Sequence, residues 1–194
     1  MIDPHNVINY NRTDSELEEF IIFCVCVAGK KSSTIAPRVS ELFSYLKCVT
    51  TEQQPLKWYM DLPNHNTLSV VMKFLGIGCY QGKAQTILDI ANHISNLRTC
   101  SLNELMAIKG IGAKTARMFL NFTREDANYA VLDVHSLRFL RREGVENVPK
   151  STPIGKKYLD LEQIFLKMVP EDTSATRFDL KNWSEHAKPN ARAV

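Results

Sequence analysis

The chain has 194 residues, 44% of them hydrophobic and 23% charged, with a formal net charge of +3 at neutral pH. That length suits one domain or two small lobes, the apolar content excludes a disordered chain, and the net charge alone argues for no polyanionic partner. Charge is local instead: residues 109 to 142 hold seven basic side chains (Lys109, Lys114, Arg117, Arg124, Arg138, Arg141, Arg142) against three acidic ones. Such a stretch fits a nucleic-acid-facing surface or an ordinary solvated helix face equally well.

Helical periodicity dominates and no alternating strand pattern persists, which predicts an all-α fold. Thr13-Asp14-Ser15-Glu16 reads as a capping box that opens a helix to about Ala28. Its apolar run, Phe20 to Ala28, follows Glu18-Glu19 and is far shorter than the roughly 20 residues of a membrane span. No signal peptide is visible, so the expectation is a soluble, cytoplasmic protein. Further helices are predicted at roughly 33 to 47, 66 to 75 and 80 to 97, with a loop from about Val49 to Asn66 that contains Pro55 and Pro63. Ser101-Leu102-Asn103-Glu104 is a second capping box, opening a helix over roughly 102 to 108, and another follows at about 113 to 123. That makes six in succession. After Asp133 a helix should run to Glu143 and stop at Gly144; the next carries Tyr158, Leu161, Phe165 and Met168 on one stripe. A last helix near Arg177 to His186 precedes a Pro-containing tail, and no internal repeat or low-complexity tract interrupts the series.

Five cysteines, at 24, 26, 48, 79 and 100, form no C-x-x-C pair and have no histidine at zinc-finger spacing. A disulfide framework and a metal site are therefore not expected, and a reduced, intracellular protein is. Cys24 and Cys26 point to different faces of one helix, where burial in the apolar run explains them.

The chemistry concentrates between residues 109 and 135. Lys109-Gly110-Ile111-Gly112-Ala113-Lys114 has the form of a tight Gly-x-Gly hairpin between two helices, which turns backbone N–H groups toward a phosphate. A Cβ at Gly110 or Gly112 would obstruct positive φ values and close approach of the anion, although helix C-caps use glycine just as routinely. Lys114 falls in the first turn of the following helix, where the positive end of the dipole disfavours an ammonium and favours a nucleophilic amine; a surface lysine that binds phosphate is the other reading. Asp133, in Val131-Leu132-Asp133-Val134-His135, precedes a helix and suits an N-cap worth about 1 kcal/mol. It equally suits a carboxylate that stabilises positive charge at a sugar carbon as a glycosidic bond breaks. His135 fits core packing or a phosphate contact, and Arg138, Arg141 and Arg142 fit a DNA-facing or a solvated surface.

Taken together, Leu105-x-x-Ile108 through Ala116 and Val131 to His135 resemble the helix-hairpin-helix DNA glycosylase superfamily. The 19-residue offset from Lys114 to Asp133 resembles 8-oxoguanine DNA glycosylases, in which the lysine attacks C1′ and the aspartate assists base release. The segments Phe23 to Ala28, Leu75-Gly76 through Tyr80 to Lys83-Ala84, and Pro149-Lys150-Ser151 through Lys157-Tyr158-Leu159 look like the short microbial 8-oxoguanine glycosylase/AP lyase group, so the likeness covers roughly residues 16 to 182.

This resemblance implies two helical lobes with a DNA-binding cleft between them. Residues 13–125 would form the six-helix lobe with the hairpin, and residues 1–12 plus 126–194 the second. It implies a monomer that acts on double-stranded DNA containing a modified base, with Lys114 and Asp133 catalytic and Gly110, Ile111, Gly112, His135, Lys30 and Lys31 as DNA contacts. Three departures stand out. Gly29-Lys30-Lys31-Ser32-Ser33 replaces the usual residues that probe the gap left by a flipped base, and the chain ends Ala191-Arg192-Ala193-Val194 rather than in lysine. The four cluster-binding cysteines of endonuclease III relatives are missing after Asp133, so no iron–sulfur cluster or other cofactor is expected. Two further readings keep the fold: a phage-type enzyme that hypermodifies thymine in DNA, and a non-catalytic DNA-binding module that uses only the hairpin. Trp58, Trp183 and Phe178 are aromatic candidates for stacking on a base, with core packing the alternative for each.

Overall fold

The computed structural model describes residues 7–50, 52–62 and 66–186. Residues 1–6 of the expected arm, Pro63 and the Pro-containing tail after residue 186 lie outside the described residues. Among the described residues every regular element is helical: α1 (Asp14–Val27), α2 (Ser32–Val49), a 3-10 helix (Pro55–Asp61), α3 (Thr67–Phe74), α4 (Tyr80–His93), α5 (Leu102–Ala107), α6 (Ala113–Thr123), α7 (Val134–Arg142), α8 (Gly155–Lys167) and α9 (Ala175–His186). No helix among them is long and apolar enough to cross a membrane. Contacts divide the chain into two compact units, Met1–Thr123 and Arg124–Val194.

The first unit is built around α1. Every residue from Phe20 to Val27 is buried, and a helix apolar on all sides belongs at the centre of a core. It packs against α2, α4, α6 and the 3-10 helix. Both expected capping boxes are present: Glu16 N donates to Thr13 Oγ1 at 3.3 Å while Thr13 N donates back to Glu16, and Ser101 and Glu104 repeat the pattern at α5. The reciprocal bonds satisfy N–H groups that a helix start would leave open. Cys24 and Cys26 are fully buried, as the apolar run requires. Burial pushes the Cys26 thiol up to about 12 and raises that of Cys24 as well, with the cations of Arg12 and Lys114 opposing the Cys24 shift.

Two expected elements differ in detail. The stretch between α2 and α3 includes a 3-10 helix rather than loop alone, because Trp58 is buried in the core. Its indole N–H donates to Glu52 O at 2.8 Å and its ring meets Phe43 edge-on at 5.7 Å. Helix α4 stops at His93, short of residue 97, because Ile94 turns extended and Asn96 Oδ1 takes the Arg98 N–H at 2.8 Å, a local turn that competes with the helix. Residues 7–12, grouped with the C-terminal helices in the sequence expectation, hydrogen-bond to the end of α6. Asn9 N donates to Phe122 O at 3.1 Å, and the buried Arg12 guanidinium donates to Val7 O, Asn9 O and Phe122 O at 2.6, 2.7 and 2.7 Å while lying over the Phe20 ring.

In the second unit α7 packs on α9. Phe139, Phe165 and Phe178 meet edge-to-face with centroids 5.5 to 5.8 Å apart. Such pairs add about 0.5–1.5 kcal/mol each beyond their burial. Tyr158, Leu161 and Phe165 form the buried stripe of α8, and α7 ends as expected at Gly144, whose φ of +81° suits glycine.

Candidate active site

The hairpin is pinned from below by its apolar residues. Ile108 and Ile111 are buried, while Lys109, Gly110 and Gly112 face solvent. Ile111 therefore belongs to the core, and its own N–H is used within the hairpin, donating to Ile108 O at 3.0 Å. The first bond of α6 runs from Ala116 N to Gly112 O at 3.1 Å. The N–H groups of Gly112, Ala113, Lys114 and Thr115 thus precede any intrahelical acceptor and form the anion-attracting end of the helix.

The two glycines have different reasons to be glycine. Gly110 sits at φ +96°, and a Cβ there would lie 2.1 Å from Thr86 Oγ1. Thr86, from α4, reaches Gly82 O and Lys109 O, each at 2.9 Å, and so ties the hairpin to the lobe. Gly112 has no such conflict: nothing lies within 4 Å of a Cβ built there. Gly110 thus meets a steric demand from inside the protein, and Gly112 leaves room on the outside.

Lys114 occupies the second position of α6 and is half-buried. Among the described residues it makes no ion pair, and its charge is felt by the buried Cys24 of α1. Lys30 and Lys31 lie in the turn between α1 and α2, both exposed. Lys30 rests on Gly78 of the α3–α4 turn, where a Cβ would come within 2.8 Å of its Nζ. Two further cations reach this place, unnoticed in the sequence: Arg38 donates to Gly76 O, and the buried Lys83 donates to Cys26 O at the end of α1. Burial pulls Lys83 below the usual lysine range, Lys30 adds to the effect, and Cys26 and Cys79 oppose it.

In the second unit Asp133 caps α7. Its Oδ1 accepts from His135 N at 2.7 Å and Ser136 N at 3.0 Å, with Ser136 Oγ 3.3 Å away. Among the described residues Oδ2 takes none of these bonds. Ser136 Oγ also lies 2.8 Å from Asp179 Oδ1 of α9. The His135 ring faces the edge of Trp183 at 6.3 Å, and Phe178 belongs to the aromatic cluster. The exposed Arg141 donates to Pro149 O at 2.7 Å. Among the described residues no group of three or more His, Cys, Asp or Glu could hold a metal ion.

This all-helical arrangement, with a Gly-x-Gly hairpin leading into a lysine-bearing helix, is the fold of the helix-hairpin-helix DNA glycosylases. It is similar to the crystal structure of the 8-oxoguanine DNA glycosylase of Thermotoga maritima, with a TM-score of 0.69 at 25% identity over 90% of this chain and 81% of that one. The fold is shared with the 8-oxoguanine DNA glycosylase of Methanocaldococcus jannaschii, with a TM-score of 0.69 at 21% identity over 94% of this chain and 84% of that one. Residues 2–173 match the family described as 8-oxoguanine DNA glycosylase, and the chain belongs to that family. Among curated relatives, the 8-oxoguanine DNA glycosylase/AP lyase of Thermotoga petrophila is 39% identical over 77 residues, which are 39% of this chain and 36% of the relative. The match thus spans little more than a third of that relative's length.

Proposed function

We propose that the chain is a DNA glycosylase with AP lyase activity that removes an oxidised base, 8-oxoguanine first among them, from duplex DNA and then cuts the strand, acting as a monomer. The observation that carries this reading is Lys114 itself: a half-buried amine without an ion pair among the described residues, in the first turn of the helix whose N-terminus the hairpin exposes, in a chain of the 8-oxoguanine DNA glycosylase family. A related enzyme from Methanocaldococcus jannaschii has been crystallised with DNA containing 8-oxoguanine, which supports the choice of substrate.

In this mechanism the damaged nucleotide leaves the stack, at a cost of a few kcal/mol that pocket contacts offset. The neutral amine of Lys114 attacks C1′; the C1′–N bond breaks and its electron pair leaves with the base, which takes up a proton. Opening of the sugar ring gives an imine between Lys114 and C1′. The imine acidifies the C2′ proton, and its removal expels the 3′ phosphate by β-elimination. Asp133 stabilises the positive charge that develops at the sugar and helps move the protons. The backbone at Gly110 and Gly112 holds the phosphates, and Lys30, Lys31 and His135 add DNA contacts. Ile111 supports the hairpin from the core side.

Borohydride reduction of the enzyme with 8-oxoguanine DNA and with abasic DNA tests the scheme. Wild-type protein should form a covalent adduct with both, and Lys114→Gln with neither. Absence of an adduct between the wild-type protein and either substrate refutes the lyase mechanism.

A further inference from the structure

The segment that delivers Asp133 runs through the interior outside any helix, and Asp133 N closes a tight turn by donating to Val131 O at 2.8 Å. Ala130, Val131 and Leu132 are all buried, so their backbone groups must find partners inside the protein. Side chains supply most of them. Glu162 Oε1 accepts from Ala130 N at 3.0 Å, and Tyr158 donates its hydroxyl to Ala130 O at 2.8 Å while accepting from Leu132 N at 3.1 Å. Thr152 Oγ1 donates to Leu132 O at 3.0 Å, and Ser136 Oγ to Val131 O at 2.8 Å. Tyr158 and Glu162 stand one turn apart on the same face of α8, where neighbours four positions apart come together.

One phenol oxygen thus bridges the C=O of Ala130 and the N–H of Leu132, as a residue of a neighbouring strand would. The bridge ends one peptide before Asp133, where the chain turns into α7 and the carboxylate accepts two N–H bonds from the helix start. Phenol and carboxylate are linked by a short stretch of backbone held at Ala130, at the Val131 carbonyl and at Leu132. We infer that Tyr158, supported by Glu162 and Thr152, is a positioning residue for the carboxylate of Asp133, setting its height and rotation relative to the reacting sugar. The inference rests on the reading of Asp133 as the carboxylate that assists base release. Tyr158 itself is buried, 1% exposed, and acts only through the backbone.

Tyr158→Phe keeps the ring and removes only the bridge. Under single-turnover conditions on 8-oxoguanine duplex, it should lower the rate of base release at saturating enzyme by about tenfold or more, since displacements of an ångström can cost about a hundredfold. The dissociation constant for the same duplex should stay within about threefold, because the phosphate contacts that dominate affinity are untouched. Thr152→Val, at the solvent-facing end of the same segment, should lower the rate in the same direction by a smaller factor, and it serves if Tyr158→Phe does not fold. Leu140→Val, at a buried position two turns along α7 in the same unit, controls for a general loss of stability and should keep the wild-type rate.

Asp133→Asn separates this inference from the reading beneath it. If Tyr158 acts through Asp133, adding Tyr158→Phe to Asp133→Asn should cost no further rate, a non-additive cycle. An Asp133→Asn enzyme with wild-type rate overturns the role of Asp133 and the inference with it. A slow Asp133→Asn enzyme beside unimpaired Tyr158→Phe and Thr152→Val enzymes overturns the positioning role alone, and so does an additive double variant.

Discussion

Gly110 and Gly112 should separate folding from DNA binding when each is replaced by alanine. At Gly110 the left-handed backbone, φ +96°, costs about 1–2 kcal/mol for an L-residue. The new Cβ also lands 2.1 Å from Thr86 Oγ1 and 3.3 Å from the Thr86 Cβ and Cγ2, so rotating the hydroxyl away does not free the space. Overpacking of this kind adds about 1–3 kcal/mol. Gly110→Ala should therefore destabilise the protein by about 2–5 kcal/mol in urea melts, a large share of the 5–15 kcal/mol that holds a typical domain together. Gly112→Ala meets open space, and alanine for glycine at a helix N-cap costs no more than about 1 kcal/mol. Its effect should appear with DNA, where a methyl group stands in the room a phosphate would occupy. Loss of one charge-assisted hydrogen bond, about 1.5–3 kcal/mol, corresponds to roughly tenfold to hundredfold in Kd. Fluorescence anisotropy with a labelled duplex at one fixed salt concentration measures it. A stable Gly112→Ala protein with wild-type affinity refutes the phosphate-binding role of the hairpin, and a Gly110→Ala protein as stable as wild type refutes the packing argument at Thr86.

Two stability experiments probe the buried polar groups of the first unit. Burial raises the Cys26 thiol from 9.0 to about 12, so the folded state keeps a proton that the unfolded chain releases. Stability from this group is complete below pH 9 and falls as pH rises, by about 1.4 kcal/mol per pH unit. Lys83, whose range is lowered by burial, acts in the opposite direction as pH rises toward 10.5. The difference between wild type and Cys26→Ala isolates the thiol: urea midpoints of the wild type should fall faster above pH 9, and parallel curves would contradict the burial argument. Arg12→Met should cost at least about 3 kcal/mol, because it strips charge-assisted hydrogen bonds from Val7 O, Asn9 O and Phe122 O together. A urea midpoint unchanged by the substitution would show that these carbonyls find other partners.

What was legible in the sequence was local. The capping boxes at Thr13 and Ser101, the stop at Gly144 and the cap at Asp133 each involve residues within a few positions, and all four are present. The positive φ of Gly110 is legible in the Gly-x-Gly pattern, whereas the close approach of Thr86 is not. Thr86 lies 23 residues from the carbonyl it binds, Lys83 lies 57 from Cys26, and Tyr158 lies 26 from Leu132. Pairings of that separation leave no periodic trace. Tyr158 reads as one more member of the apolar stripe of α8, and nothing in its spacing reports that the hydroxyl bridges two peptides. Polar side chains on a largely apolar face, as with Lys83 and Thr86 beside Ala84, Ile87 and Ile90, are the kind of signal that points toward specific partners.

On the proposed mechanism Asp133 is both a cap and a reactive carboxylate, and the two roles need not compete for one side chain. A helix N-cap needs a single oxygen directed at the N–H groups of the first turn, and Oδ1 alone accepts from His135 N and Ser136 N. Those bonds fix the side-chain torsions, which leaves Oδ2 held in a set direction with none of the capping bonds. The capping donors lie at the positive, N-terminal end of α7. Asparagine caps helices about as well as aspartate, so Asp133→Asn preserves the fold of this turn while removing the charge. A loss of rate in that variant without loss of stability therefore reports on the carboxylate and not on the cap.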